Sequence, residues 1–499
     1  MSGLVVCAPL RVEARALRRG LGGHGQVVCT GYGPGRSAAA RDYLSRLAPD
    51  SIAVGGVGGG LVRDLGVGDL VVASRVTGTG PVLDCPSAPL LAGELRRSGL
   101  RARVGPIASV DRLVRRGEHD AVAATGAIAA DLESAPLLAA APGLPSVVLR
   151  AISDQPGRPL VDPRTVTGGL AALRALRLSG PALARWAAAA GSRRLLLAGP
   201  RSFCAGVERA IDIVERALRR YGAPVYVRKQ IVHNARVVAE LERAGAIFVD
   251  ELDEVPDGAR VVFSAHGVSP AVRREAARRD LVTVDATCPL VAKVHAEARR
   301  FAAEGYQVAL IGHAGHDEVE GTLGEVPEAM VLVERPSDVD RLRPPDDGKI
   351  AYLTQTTLSA ADADEMVEAI KDRFPQARGP GSDDICYAST NRQRAVQAVA
   401  ATSDLVIVAG SANSSNSRRL VETAERAGTP AYLVDGPEDI RLDWLAGTST
   451  VGITAGASAP PAVVEQIVTA LSGLGPVQTE EVVVATESIQ FGLPKELRH

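Results

Sequence analysis

Short, uninterrupted apolar runs recur along this chain, each followed by a loop of small or polar residues and then a stretch of helical period. In the first part these runs are Leu4–Cys7, Gln26–Cys29, Ile52–Val54 and Val147–Ile152, alternating with Ala/Arg-rich segments. Further on they are Val225–Val227, Arg260–Phe263, Val282–Val284, Val308–Ile311, Ile350–Leu353, Leu405–Ala409, Ala431–Val434 and Val451–Thr454. A strand that is apolar at every position, and not at alternate ones, must be buried on both faces. That implies parallel sheets sandwiched between helices, an α/β fold class. Functional residues are then expected at the carboxyl ends of strands.

At roughly 100–200 residues per domain, 499 residues suggest three or four domains, with cores large enough to need no disulfide scaffold. The chain divides near residue 190. Leu170–Ala190 reads as one closing helix ending at Gly191-Ser192, and Arg194–Ala198 opens a second series. Lys and Arg number 56 and Asp and Glu 58, so the net charge of −2 argues against a nucleic-acid coat or a polybasic membrane anchor. Aromatics at 3% disfavour a stacking platform for single strands. Six cysteines in this length are not a secreted disulfide framework. The first twenty residues have no long apolar run after a basic start, and no apolar stretch reaches the roughly 20 residues of a membrane span. The expected setting is the cytoplasm, with reduced thiols.

Cys204, Cys288 and Cys386 lie 84 and 98 residues apart, each in a small-residue loop just before a helical segment. One cysteine per βα unit suggests three similar subdomains converging on one centre. A helix N-terminus favours thiolate, the metal-binding form. Taken singly, each is as readily a buried structural cysteine, and Cys7, Cys29 and Cys85 more readily so. No C-x-x-C is present, which argues against a zinc ribbon or a thioredoxin motif. Three lone thiolates better suit an iron–sulfur cluster with one open iron.

Polar clusters accompany the cysteines. His233, His266, His313 and His316 follow strand runs. Thr354–Thr357 and Ser411–Ser417 are dense in hydroxyls and amides, and Gly456–Pro460 is a small-residue turn. Singly, these read as loops and helix caps. Together they offer neutral donors for a diphosphate, in a chain without a Walker loop. His313-x-x-His316 could hold zinc, but no third ligand has a metal-motif spacing. Glu318 near a hydroxyl such as Thr356 could relay protons, or be a solvated helix-start carboxylate.

From Phe203-Cys204-Ala205-Gly206-Val207 to Pro494-Lys495-Glu496-Leu497-Arg498, about three-fifths of the chain, these strings resemble the 4-hydroxy-3-methylbut-2-enyl diphosphate reductases. The resemblance implies a trefoil of three α/β subdomains around a 4Fe–4S cluster, over about 193–287, 288–385 and 386–475 with a C-terminal tail to 499. It implies Cys204, Cys288 and Cys386 as ligands of three irons, with the substrate C4 hydroxyl on the fourth. His233, His266, His316, Ser414, Ser415, Asn416 and Ser458 would line the allylic diphosphate, and Glu318 with Thr356 and His316 would serve the chemistry. The reaction implied is reductive dehydroxylation to isopentenyl and dimethylallyl diphosphate, the last step of the methylerythritol phosphate route, with ferredoxin or flavodoxin as electron donor.

Residues 1–190 resemble the nucleoside phosphorylase and nucleosidase superfamily. The match runs through Gly31-Tyr32-Gly33-Pro34-Gly35, the Ser51–Leu61 run, Val67–Val72, Ala130-Asp131-Leu132-Glu133-Ser134 and Leu149–Asp154. It implies Glu13 near the attacking water, Glu133 on the ribose hydroxyls and Asp154 as acid for the leaving base. The segment Gln155-Pro156-Gly157-Arg158 departs from that pattern. The sequence leaves open a reductase fused to a scaffold, a bifunctional enzyme that also cleaves or phosphorolyses a nucleoside in a hopanoid-linked role, and a nucleoside-sensing module.

Overall fold

The computed structural model describes residues 3–78, 80–114, 117–155, 163–345 and 348–498. Pro156-Gly157-Arg158 of the departing segment lie outside the described residues. The chain forms two compact units. The first comprises Met1–Leu195 with Gly436–Val451 and Glu465–Glu480, and the second Leu196–Asp435 with Gly452–Val464 and Glu481–His499.

The first unit is built on β1 (Leu4–Ala8), β2 (Gln26–Cys29), β3 (Ser51–Gly60), β4 (Leu70–Thr77), β5 (Leu83–Asp84), β6 (Ala102–Ser109), β7 (Ala129–Asp131) and β8 (Ser146–Asp154). They form one sheet of order β2-β1-β3-β7-β6-β4-β5, with β8 pairing β3 and β4. Contrary to the all-parallel expectation the sheet is mixed. β1 runs parallel to β2 and β3, whereas β7 is antiparallel to β3 and β8 to β4. Val5, Ile52, Val54, Val71 and Val148 fill its core.

The glycine run expected as a loop after Ile52–Val54 is strand. β3 pairs β8 from Ile52 against Ser146 to Gly59 against Asp154. The glycines make room, since a Cβ on Gly56 would collide with the Arg150 guanidinium and approach Glu13. The expected closing helix is two helices, Pro163–Leu178 and Gly180–Ala188. Pro181, without an N–H, opens the second, and a Cβ on Gly180 would run into the Gly20 backbone. The chain first passes between the units at Leu195–Leu196, close to residue 190, but later segments return to the first unit. Arg97 donates to the carbonyls of Glu438 (2.9 Å) and Ile440 (3.0 Å), and Arg193 to that of Leu445 (3.0 Å), which ties later chain into this unit.

The second unit carries three sheets. β10 (Val225–Arg228), β11 (Ala246–Val249), β12 (Arg260–Phe263) and β13 (Val282–Asp285) are parallel in the order β11-β10-β12-β13, after β9 (Arg193–Gly199). β14 (Gln307–Ile311), β15 (Met330–Val333) and β16 (Ile350–Thr354) are parallel in the order β15-β14-β16. β17 (Leu405–Ala409), β18 (Ala431–Val434), β19 (Thr450–Ala455) and β20 (Val477–Val483) join β9 in the order β18-β17-β19-β9-β20. Thus a first subdomain over 193–287 is not contiguous in space, because β9 belongs to the third sheet. Leu196, Val406 and Val408 share one core there. Among the described residues, no helix is long and apolar enough to cross a membrane.

Candidate functional site

Each of the three cysteines is the N-cap of a helix: Cys204 for Ala205–Tyr221, Cys288 for Pro289–Ala303 and Cys386 for Tyr387–Ala400. Their backbone amides are pinned in the same way, each to a carbonyl just past a strand. Cys204 donates to Ala457 beyond β19 (3.2 Å), Cys288 to Ala265 beyond β12 (2.9 Å) and Cys386 to Thr356 beyond β16 (3.1 Å). Cys204 and Cys288 follow a strand directly. Cys386 follows the helix Ala360–Arg373 and a loop, and its amide is pinned to the Thr356 carbonyl.

All three line one cavity of about 110 Å³. A Cβ on Gly206 would lie 2.7 Å from the Cys288 sulfur and 3.8 Å from that of Cys204, so both thiols flank one glycine. At Cys288 and Cys386 the helix N-terminus alone does not lower the pKa. Burial and the neighbouring thiols push Cys288 up to about 12 and Cys386 up to about 11, against weaker backbone hydrogen bonds.

The same cavity collects every substrate residue expected from the sequence: His233, His266, His316, Ser414, Ser415, Asn416 and Ser458, with Glu318 and Thr356. The His233 and His266 rings stack at 4.0 Å, and His316 meets them edge-on at 5.1 and 5.7 Å. Burial holds all three imidazoles below their usual pKa, His316 down to about 3. Among the described residues, both ring nitrogens of His233 and Nδ1 of His266 are buried without a hydrogen-bond partner. Asp317 Oδ2 lies 3.8 Å from each ring, beyond hydrogen-bond range. Buried polar atoms without partners call for a polar ligand.

The other wall is knitted by hydroxyls. Ser458 Oγ donates to the His233 carbonyl (3.0 Å), Thr357 Oγ1 to Ser415 Oγ (3.1 Å), and Asn416 accepts from the Ala457 amide (2.8 Å). Ser414 caps the helix Ser415–Arg426, whose N-terminus is a ready anion site. Glu318 is 3% exposed and accepts from the Thr356 amide (2.7 Å) and hydroxyl (2.9 Å). Burial outweighs those bonds and raises its pKa to about 7.

His313 does not join the cavity lining and instead contacts Arg419, which removes the His313/His316 zinc pair. Sequence reading missed Phe491, from the tail, which also lines the cavity. It also missed Asp317 between the histidines. Its only signal was its place between His316 and Glu318.

In the first unit, Glu13, Glu133 and Asp154 converge on a second cavity of about 210 Å³, with Tyr32 and His119. Glu13 accepts from the amides of Val57 (2.8 Å) and Leu10 (2.7 Å), and Glu133 from that of Gly33 (2.9 Å). Burial raises Glu13 and Asp154, and Ser153 donates to Asp154 (2.8 Å). Behind them Arg150 is fully buried, bonded to Asp131 (2.6 Å) and 3.6 Å from Glu133.

The family model described as LytB protein matches residues 195–472, and that of the Phosphorylase superfamily matches residues 14–177. A 4-hydroxy-3-methylbut-2-enyl diphosphate reductase of Mycobacterium bovis is 59% identical over 314 residues, which cover 62% of this chain and 95% of the relative. The reductase of Hahella chejuensis is 56% identical over 309 residues, covering 61% and 98%. The solved structure of the E-1-hydroxy-2-methyl-but-2-enyl-4-diphosphate reductase from Plasmodium falciparum is 39% identical, with a TM-score of 0.59, and covers 62% of this chain and 97% of its own. With a match across more than half of its length and relatives covered almost end to end, the chain belongs to the LytB protein family.

Proposed function

We propose that the second unit reductively dehydroxylates 4-hydroxy-3-methylbut-2-enyl diphosphate to isopentenyl and dimethylallyl diphosphate, the terminal step of the methylerythritol phosphate route. The observation that carries this reading is the convergence of three thiols, three neutral imidazoles and one protonatable carboxyl on a single cavity. The donor set fits a 4Fe–4S cluster: three free thiols, each at a helix N-terminus, line one cavity. Cys204, Cys288 and Cys386 would hold three of its irons. When bound, the cluster supplies two electrons in single steps and a Lewis-acid position for the C4 oxygen.

The chain's own residues do the rest. His233, His266 and His316, with Ser414, Ser415, Asn416, Ser458 and the helix N-terminus at Ser415, bind and orient the diphosphate. Glu318, protonated near neutral pH and held by Thr356, delivers the proton to the departing hydroxyl. Phe491 excludes water. The electrons come from an external one-electron donor of the ferredoxin or flavodoxin kind, in the cytoplasm.

Anaerobic purification with iron and sulfide analysis, followed by turnover with a chemical reductant, tests this reading. About four irons per chain, with turnover lost in Cys288→Ser, is the expected result. Zinc or no metal, and no turnover after reconstitution, would overturn it.

A second activity is favoured by the convergence of Glu13, Glu133 and Asp154 in the first unit. We propose that this cavity cleaves the N-glycosidic bond of a purine nucleoside, with Asp154 as the acid for the base. Release of adenine from 5′-methylthioadenosine by the full chain tests it. Binding without cleavage would make the unit a nucleoside sensor instead.

A further inference from the structure

The helix that begins at each cysteine carries a cation in its second turn, and that cation grips the loop of a different cysteine. Arg209, five residues after Cys204, donates from Nη1 to the carbonyls of Ala286 and Thr287 (both 3.1 Å), the two residues before Cys288. Lys293, five after Cys288, donates to the carbonyls of Ser382 (2.6 Å) and Asp383 (2.9 Å) and to Asp384 Oδ1 (3.2 Å), ahead of Cys386. Arg392, six after Cys386, donates to the carbonyls of Ser202 (2.8 Å from Nη2) and Phe203 (3.1 Å), the two residues before Cys204. The sequence of grips closes: 204 to 288, 288 to 386, 386 back to 204.

We propose that Arg209, Lys293 and Arg392 form a closed ring of clasps that presets the three cysteine loops for one cluster, each helix positioning the next ligand and not its own. This rests on the reading of the cysteines as cluster ligands. The chemistry suits the task. A loop carbonyl has a spare lone pair after its backbone pairing, and a cation can satisfy two or three at once. Bonds to charged donors are the stronger kind, so each clasp holds its loop against local opening. Two clasps also hold the tail. Arg209 Nε donates to the Gly492 carbonyl (2.8 Å) and Arg392 pairs with Glu487 (3.0 Å), on either side of Phe491. The three residues are positioning residues, since their charged groups grip the loops and leave the lining of the cavity to others.

The test is hydrogen exchange by mass spectrometry on the full chain, as purified and after chelation of metal, for Arg209→Gln, Lys293→Met and Arg392→Gln. A ring predicts displaced effects. Lys293→Met speeds exchange at the Cys386 amide about fivefold or more, as loss of a charged hydrogen bond allows, while the Cys204 and Cys288 amides stay within about twofold. Arg209→Gln does the same at Cys288, and Arg392→Gln at Cys204. Lys293→Arg restores protection. Lys293 is the safest position, with 28% of its side chain exposed, so its variant keeps the proposal testable if the Arg392 variant fails to fold. Uniform acceleration at all three cysteines, acceleration at a variant's own cysteine, or no change would each overturn the ring. Iron content separates the two readings. A chain that binds no iron refutes the cluster, whereas normal iron with unselective exchange refutes only the clasps.

Discussion

Glu318 and Thr356 meet at two points: one carboxylate oxygen accepts the threonine amide at 2.7 Å and the other lies 2.9 Å from its hydroxyl. The carboxyl comes from the first turn of the helix Asp317–Leu323, and Thr356 lies two residues past β16. Thr356 also offers its carbonyl to the Cys386 amide, so the acid and one cysteine hang from the same residue.

This pairing sets the pH dependence of turnover. Glu318 is raised to about 7 by burial and acts as an acid, so kcat should be full below pH 6 and fall as pH rises through about 7. Glu318→Gln should lower kcat by roughly 10²–10⁴-fold, the span of general acid catalysis, with iron content unchanged. An unchanged pH profile in the variant would assign the titration to another group.

The same shift is a statement about stability. A carboxyl whose pKa rises on folding favours the folded state below its unfolded pKa, and that contribution is lost as pH climbs through the folded value. Here the loss runs from about 4.5 to about 7. Glu318→Gln carries no charge to bury, so its Tm relative to the parent should increase between pH 5 and 8. Calorimetry of both proteins across that range checks the sign.

Substrate binding should take up protons. The free cavity keeps His233, His266 and His316 neutral by burial, yet the ligand brings a diphosphate's negative charge. An anion beside an imidazole favours the charged form. Titration calorimetry at pH 7.5 in buffers of different ionisation enthalpy should therefore report net proton uptake, diminished in His233→Asn. Zero uptake would mean that the neutral rings bind the diphosphate as they stand.

Much of this architecture is legible in the sequence, for identifiable reasons. Runs such as Leu405–Ala409 and Arg260–Phe263 formed the strands expected because apolar continuity is a local property. The three cysteines proved to be helix caps for the same reason. What escaped was set by partners distant in sequence. Gly55–Gly60 became strand because β8 pairs along it and Arg150 needs the space. β9 left its neighbours for the third sheet. The thiols' environment depends on three loops meeting, and Phe491 lines the cavity from a tail that Arg209 and Arg392 help to hold.

In the first unit, Arg150 is the test of architecture. Its guanidinium is fully buried against Asp131, with Glu133 beside it. Arg150→Met would leave the buried Asp131 carboxylate without its cation, at a cost of about 3–5 kcal/mol. The calorimetric trace should lose or lower one transition, and exchange should accelerate in β7 and β8 while the cysteine loops keep their protection.

Gly206 offers the sharpest steric test. It sits in the first turn of the helix that Cys204 caps, and an added Cβ would fall 2.7 Å from the Cys288 sulfur. That is too close for carbon and sulfur, and the neighbour cannot swing aside cheaply. Cys288 is held by its own amide bond to Ala265 and by the Arg209 clasp on Ala286 and Thr287. Helix propensity argues the other way, because alanine at a helical position gains about 0.5–1 kcal/mol over glycine. Gly206→Ala should therefore fold with its helix intact by circular dichroism, yet bind markedly less iron after reconstitution than the parent. Full iron loading in Gly206→Ala would mean that the two sulfurs have room to separate, and that the glycine is there for some reason other than their closeness.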